Sequence, residues 1–222
     1  PAPKTSAFLA LEQRAGRGRH HRPWFSTPLD GIYVTYLFER PETASLAGFS
    51  LALGYAVYQT LTELGVEAAL KWPNDVLTAK RPFAKLAGVL LESSSREGAI
   101  TWVSGGIGLN LAQEQFPDGV PGSSVLLETG VTPNYATSFA LLSRRVMEAS
   151  QIFFTRGFNP FRELWWAASM MEQANVRVEQ AEGRARQAVG LTEQGGLVVR
   201  SEDGAEQVVY SGEVILEQKD LS

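Results

Sequence analysis

The sequence predicts an α/β (α+β) protein in two parts: a mixed-sheet α/β domain over residues 1–171 and a small β-barrel over residues 172–222. Three observations predict it. Up to about residue 170, runs of β-branched and aromatic residues alternate with two long segments of helical periodicity. After Met171 the texture changes to five short strand-like runs split by glycine-containing turns. Finally, 222 residues with 44% hydrophobic and 20% charged side chains suit one large or two small globular domains. No repeat or low-complexity linker separates the two parts, so they are expected to pack together.

Ala7-Phe8-Leu9-Ala10-Leu11 is a short apolar run and reads as a buried strand. Gly31 to Glu39 is rich in β-branched and aromatic residues and reads as the next strand. From Thr43 to Leu64 apolar residues recur at helical spacing, and Gly65 follows as a C-terminal cap. A short strand near Glu67–Lys71, the turn Trp72-Pro73-Asn74-Asp75 and a strand over Val76–Thr78 come next. Two apolar strands follow, Leu86–Glu92 and Ile100–Leu111, then a long helix over Asn134–Phe154 and a short one over Phe161–Ala168. In the tail, Val176–Glu179, Arg184–Leu191, Gly195–Arg200, Gln207–Tyr210 and Glu213–Glu217 read as short strands of a barrel or sandwich.

Composition excludes several chemistries. Without cysteine there is no disulfide framework, thiolate metal site or thiol nucleophile, and the chain suits a reducing, cytoplasmic compartment. His20 and His21 are the only imidazoles and are adjacent, which excludes a histidine-rich metal site. No apolar run approaches the roughly 20 residues that a membrane span needs. The N-terminus shows no signal-peptide pattern and opens on Pro1 rather than Met, so further residues are expected upstream.

The most informative stretch is Gln13 to Trp24, in which residues 14–22 hold four arginines and two histidines with glycines between them. Lys4 and these four arginines against Glu12 leave residues 1–22 at +4, so the rest of a chain of net charge −4 carries −8. An isolated basic loop on an acidic protein suits one local anionic ligand, and its glycines let backbone N–H groups come close to it. A solvated basic loop has the same composition. Lys71-Trp72-Pro73-Asn74-Asp75 sets a cation and an indole before a turn whose Asn74 and Asp75 can offer oxygen to a nucleotide or Mg²⁺. Pro-Asn-Asp is equally a common plain turn. Lys85 opens the apolar run Leu86–Leu91, and either snorkels to solvent or points into a site at the strand's end. Gly105, Gly106 and Gly108 lie in a strand, where glycines mark a bulge or a close approach by another backbone or a ligand. Their spacing is not the dinucleotide-binding pattern, and no helix follows, so a Rossmann reading fails.

Taken in order, the segments Gln13–Trp24, Lys71–Asp75, Lys85–Glu92 and Gly106–Asn110 resemble the motifs of the biotin protein ligases (biotin–acetyl-CoA-carboxylase ligases). The tail is similar to that family's SH3-like C-terminal domain at Gly183-Arg184-Ala185, Gly195-Gly196-Leu197 and Ser211-Gly212-Glu213-Val214. The resemblance implies two steps: biotin and ATP form biotinyl-5′-AMP, and the biotinyl group then passes to a lysine of a biotin carboxyl carrier domain. The first step brings a carboxylate to a phosphate, so fixed cations must offset the repulsion and the charge developing at phosphorus.

By similarity, Lys85 and Arg17 are the catalytic cations. Gln13, Gly16, Arg17, Arg19, Lys85 and Gly88 would hold biotin. Trp24, Lys71, Asn74, Asp75 and Asn110 would face the nucleotide, with Asp75 as the Mg²⁺ ligand. The resemblance also implies a monofunctional type, since nothing here corresponds to the helix-turn-helix of some members, and dimerisation through the catalytic sheet as in many relatives. It departs from the family pattern twice. His20-His21 stand where relatives often have Arg-Gly, which predicts altered loop dynamics. A Ser-Thr-Asn-like segment that contributes to the family's biotin pocket has no counterpart; either it lies upstream of Pro1 or the pocket is incomplete.

Rival readings are a lipoate or octanoate protein ligase of the same superfamily, a biotin-binding homologue without activity, and a nucleic-acid-binding module. Against the last, Arg177, Arg184, Arg186, Arg200 and Lys219 in residues 172–222 are outnumbered by acids. Neither nucleic acid nor membrane is an expected partner.

Overall fold

The computed structural model describes residues 4–39, 41, 45–172, 174–178 and 185–216. In chain order they form β1 (Lys4–Ala10), β2 (Gly31–Glu39), α1 (Phe49–Glu63), β3 (Ala68–Lys71), β4 (Asp75–Thr78), β5 (Lys85–Arg96) and β6 (Ala99–Asn110). Then come α2 (Val125–Thr129), α3 (Tyr135–Arg156) and α4 (Arg162–Ala167), followed by β7 (Asn175–Val178), β8 (Ala185–Leu191), β9 (Leu197–Arg200), β10 (Glu206–Val209) and β11 (Val214–Leu216). Short 3₁₀ turns cover Arg19–His21 and Asn159–Phe161.

The first sheet has the order β1-β2-β6-β5-β4-β3. The sequence predicts a mixed sheet; all of its ladders are antiparallel, and parallel pairing is confined to the isolated bridges Leu70–Ser169 and Lys85–Gly122. Short connections explain this. Glu97 and Gly98, both at positive φ, turn β5 directly into β6, and only residues 72–74 join β3 to β4.

Side chains alternate across the sheet, and the register sorts them into two faces. Val103, Gly105 and Ile107 of β6 share a face with Val34, Tyr36 and Phe38 of β2, and that face meets α1 and α3. A Cβ at Gly105 would stand 2.6 Å from Leu53 of α1, so this glycine lets the helix approach. Phe38, Phe49, Phe153 and Phe154 pack there in edge and stacked contacts. Asn134 caps α3 by accepting the Thr137 N–H at 2.9 Å, where the sequence places that helix's start.

Two expectations are corrected. The helix predicted from Thr43 begins at Phe49, because Gly48 adopts φ 82° and its missing Cβ leaves room for Phe158 at 2.6 Å; residues 42–44 lie outside the described residues. The run over Ala7–Leu11 is not buried. Its residues 7–10 sit in β1, an edge strand whose one neighbour among the described residues is β2, and Phe8 is 61% exposed. The five-residue helix α2 has no periodic signature in the sequence.

The second sheet is antiparallel with the order β10-β9-β8-β7-β11, and the described pairings leave it open rather than closed into a barrel. Of the predicted tail strands, the ends at Glu179, Arg184 and Glu217, and residues 183 and 184 of the Gly183-Arg184-Ala185 segment, lie outside the described residues. The two sheets share one continuous core, in which Val176, Leu197 and Val214 join Phe158, Trp165 and Met171. At the junction the Trp72 indole N–H donates to the Gly195 carbonyl at 3.0 Å. Gly195 sits at φ 78°, and a Cβ there would stand 2.7 Å from Leu51.

Candidate active site

The opposite face of the first sheet floors a cleft of about 1110 Å³. That is at the upper end of the range for small-molecule sites, about 300–1,000 Å³. The floor is made by register. Asp75 of β4, Gly88 of β5 and Gly108 of β6 are laterally paired, and Leu90, Gly106 and Thr35 form the next row. The ring of Trp24 lies where a Cβ of Gly108 would be, and a Cβ on Gly88 would stand 3.2 Å from both Trp24 and the Lys85 ammonium. The two glycines therefore let the indole and the ammonium lie against the sheet.

Lys85 reaches the cleft because of a bulge. Alternation back from Gly88 would put Leu86 in the cleft and Lys85 in the core. The register of β4 against β5 shifts between Val76 and Leu77, so that Val76 pairs with Ala87 and Leu77 with Lys85. Leu86 is then fully buried, while Lys85 Nζ lies 2.7 Å from Asp75 Oδ1 and 5.3 Å from the centre of the Trp24 ring. Two backbone bonds and one from a side-chain amide hold this strand start. Lys85 N–H donates to the Pro121 carbonyl at 2.8 Å, and the Lys85 carbonyl accepts from Ser123 N–H at 3.0 Å and the Asn110 amide at 3.1 Å. Asn110 is buried, and its amide also donates to the Ser123 carbonyl at 3.0 Å. The structure thus sets its amide nitrogen on the backbone beneath Lys85, at a position that also lines the cleft.

The basic loop closes the mouth of the cleft. At its base Ser26 Oγ donates to the Gln13 carbonyl and accepts the Gln13 N–H. Higher up, Trp24 N–H donates to the Gly16 carbonyl at 2.8 Å and Gly18 N–H to the Arg22 carbonyl at 2.7 Å, with Arg17 bridged to Pro23. A Cβ on Gly16 would stand 2.7 Å from the Gln13 side-chain oxygen, so the Gln13 side chain lies against Gly16. At the tip His20 and His21 take φ 54° and 58°, the left-handed region that a glycine enters more readily.

Six cations (Arg14, Arg17, Arg19, Arg22, Lys71 and Lys85) and four carboxylates (Glu12, Asp75, Glu92 and Glu213) line the cleft, a local positive excess on a chain of net charge −4. Their partners divide them. Lys85 is paired with Asp75. Arg17 is exposed and has no side-chain partner among the described residues. Arg19 instead donates to Asn74 Oδ1 at 3.2 Å and to the Gly212 carbonyl at 3.3 Å, contacts that its predicted place against biotin did not include. Asn74 Nδ2 donates in turn to the Val89 carbonyl at 3.1 Å. Trp24 Nε1 is buried without a partner, a donor available to a ligand. Burial pushes the Tyr33 phenol up, against hydrogen bonds at Thr27 that lower it.

Among the described residues no cluster of three or more acidic or imidazole side chains could hold a metal alone. Mg²⁺ bound through substrate phosphates needs only one or two protein carboxylates, and Asp75 fits that requirement. Sequence reasoning missed the loop Phe116–Gly122 on the far wall and Glu213 from the second sheet. The loop carries no periodic or motif signal of its own, and the Ser211-Gly212-Glu213-Val214 segment marks a turn of the tail without pointing to the cleft.

Residues 1–110 match the Biotin/lipoate A/B protein ligase family and residues 175–217 the Biotin protein ligase C terminal domain. A biotin--[acetyl-CoA-carboxylase] ligase of Paracoccus denitrificans is 35% identical over 218 residues, which are 93% of this chain and 88% of that protein. The chain belongs to the biotin protein ligase family. The bifunctional ligase/repressor BirA of Escherichia coli is 31% identical over 95% of this chain, but the chain spans only 66% of that relative's length. Among solved structures, a biotin protein ligase from Aquifex aeolicus in complex with biotin and ATP superposes with a TM-score of 0.81. It is 27% identical, and the match covers 96% of this chain and 89% of that one. No helix among the described residues is long and apolar enough to cross a membrane.

Proposed function

We propose that this chain is an ATP-dependent ligase that activates biotin as biotinyl-5′-AMP and transfers it to a lysine of a biotin carboxyl carrier domain. The observation that carries the reading is the bulge that delivers Lys85 onto a glycine floor beside Asp75, beneath a loop that presents Arg17. Biotin and ATP are also the ligands of the Aquifex relative.

In the first step a biotin carboxylate oxygen forms a bond to the α-phosphorus of ATP, and the bond from that phosphorus to the bridging oxygen breaks, releasing pyrophosphate. Lys85, freed from Asp75 by the incoming anions, bridges carboxylate and α-phosphate. Arg17 neutralises the approaching charges; its planar guanidinium suits two oxyanions at once. Gln13, Gly16, Arg19 and Gly88 line the biotin side, and Trp24 covers the ligand. Lys71, Asn74 and Asp75 face the nucleotide, and Asn110 acts on it through the strand start that it holds. When bound, Mg²⁺ held by Asp75 and the phosphates would neutralise phosphate charge. In the second step the carrier lysine, as free amine, attacks the mixed anhydride's carbonyl carbon. AMP leaves, and the amine gives up a proton.

The groove beside Phe8, Leu37 and Trp102 on the open sheet face is the surface we propose for self-association, tested by sedimentation of wild type against Trp102→Lys. Incubation of the protein with biotin, ATP, Mg²⁺ and a purified carrier domain tests the main proposal. The expected result is one biotinyl mass increment on a single lysine; an increment with lipoate alone, or none, contradicts it.

A further inference from the structure

The basic loop is not tied down by its own domain alone. Arg22 Nη1 and Nη2 donate to the two carboxylate oxygens of Glu213, the first at 2.9 Å, in an end-on bidentate pair between the loop and the second sheet's side of the cleft. Next to it, Arg19 donates through two nitrogens to the Gly212 carbonyl at 3.3 Å. Residues 212 and 213 lie immediately before β11, a strand of the small second sheet. That sheet is fixed to the first by the Trp72–Gly195 hydrogen bond and by the shared core. The second domain is therefore a rigid post, and the basic loop is fastened to it at its tip.

Fastening matters because, among the described residues, the loop's other bonds are its own backbone turns, the Ser26–Gln13 pair at its base and the Arg19–Asn74 contact, with no packed side chain among them. Between Gln13 and Pro23 it buries no side chain, and His20 and His21 sit at positive φ at its turn. Yet this segment carries Arg17 into the cleft and sets the position of Trp24. We propose that Glu213 is a positioning residue for the reaction: through Arg22 it holds the basic loop closed over the cleft and slows escape of the adenylate. The inference rests on the ligase reading for the identity of the trapped ligand, but the latch itself does not. The Arg22 guanidinium beside it also holds the Glu213 carboxyl below its ordinary range, with smaller contributions from Lys71 and His20.

Two readouts test this on the full chain, with Glu213→Gln and the exchanged pair Glu213→Arg with Arg22→Glu. The first is tryptic cleavage after Arg14, Arg17 and Arg19 in the ligand-free protein, read from the fragments cut at those three sites; the Arg22–Pro23 bond resists trypsin, so the exchange leaves the loop's sites unchanged, and the new site after residue 213 is scored separately. Cleavage from a rapidly opening loop follows the open population. Losing one partly exposed, bidentate pair should raise it about three- to fivefold. The second is the release rate of biotinyl-5′-AMP preformed from biotin and α-labelled ATP, expected to rise by a similar factor. The exchanged pair should return both rates toward wild type, and the gap should close at about 1 M salt, where screening acts within about 3 Å. Urea stability should stay unchanged in each variant, which separates positioning from general support.

Wild-type cleavage and release in Glu213→Gln would overturn the proposal. Faster cleavage with unchanged release would leave a latch without a role in retention, and would overturn it equally. If the wild type forms no adenylate at all, the ligase reading fails, and the protease arm alone decides the latch.

Discussion

Lys85→Ala separates catalytic from structural importance most sharply. The ammonium lies 2.7 Å from Asp75, and the two side chains retain 32% and 24% of their solvent exposure. Such a pair contributes about 1 kcal/mol or less to stability. At the reacting centre the same charge meets two anions. A unit charge about 4 Å from another is worth about 4 kcal/mol at an effective dielectric of about 20. Removing one charge-stabilising group costs roughly 10²–10³ in rate, about 2.7–4 kcal/mol, so the two figures agree. Quenched-flow adenylate formation, run beside urea unfolding, should show that large loss of rate with a stability change of about 1 kcal/mol or less. Near-normal adenylate formation would remove Lys85 from the mechanism. A stability loss of several kcal/mol would make it a structural residue whose effect on rate is indirect.

Arg17→Ala should weaken the clamp on the activated intermediate and show as faster adenylate release; unchanged retention would count against its role. Gly108→Val places branched carbons where the Trp24 ring lies. It should raise KM for ATP and cost about 1–3 kcal/mol of stability, and an unaltered KM would mean that Trp24 does not cover the nucleotide. Trp72→Phe leaves the Gly195 carbonyl without its donor at the junction, with an expected cost of about 1–3 kcal/mol in chemical denaturation. The Glu213 carboxyl is held below its ordinary 4.5, first by the Arg22 hydrogen bonds. A lowered folded value means that its contribution is complete above about pH 4.5 and fades as pH falls through that lower value. Amide exchange over residues 14–22, corrected for intrinsic rates, should show protection at neutral pH lost in acid, and flat protection would sever the link.

Much of the fold was legible because its signals are local. The glycine after α1, the Asn134 cap of α3 and the turn-separated tail strands each follow from residues in sequence contact. The exposed β1 was not, since an apolar run reads the same whether a sheet continues beyond it or ends there. Nor was the all-antiparallel sheet, which depends on strand order. For the site, residue types located the charged and glycine positions, but not how they cooperate. Lys85 enters the cleft through a bulge in β5 that shows only in its pairing with β4; plain alternation along β5 would send it to the core. Gly105 and Gly108 look alike in sequence, yet one admits Leu53 of a helix and the other the Trp24 ring. Asn110 reads as a ligand contact from its residue type, and only the fold shows that its amide nitrogen also braces the start of β5. Glu213 acts across 191 residues of chain, a distance that no motif spans.

Biotin-dependent exchange of labelled pyrophosphate into ATP, with lipoate as the control, tests the central claim most directly, because it reports adenylation without any carrier. The account predicts exchange with biotin, none with lipoate, and a fall of roughly 10²–10³ in Lys85→Ala. Exchange with lipoate alone, or biotin binding without exchange, would contradict it.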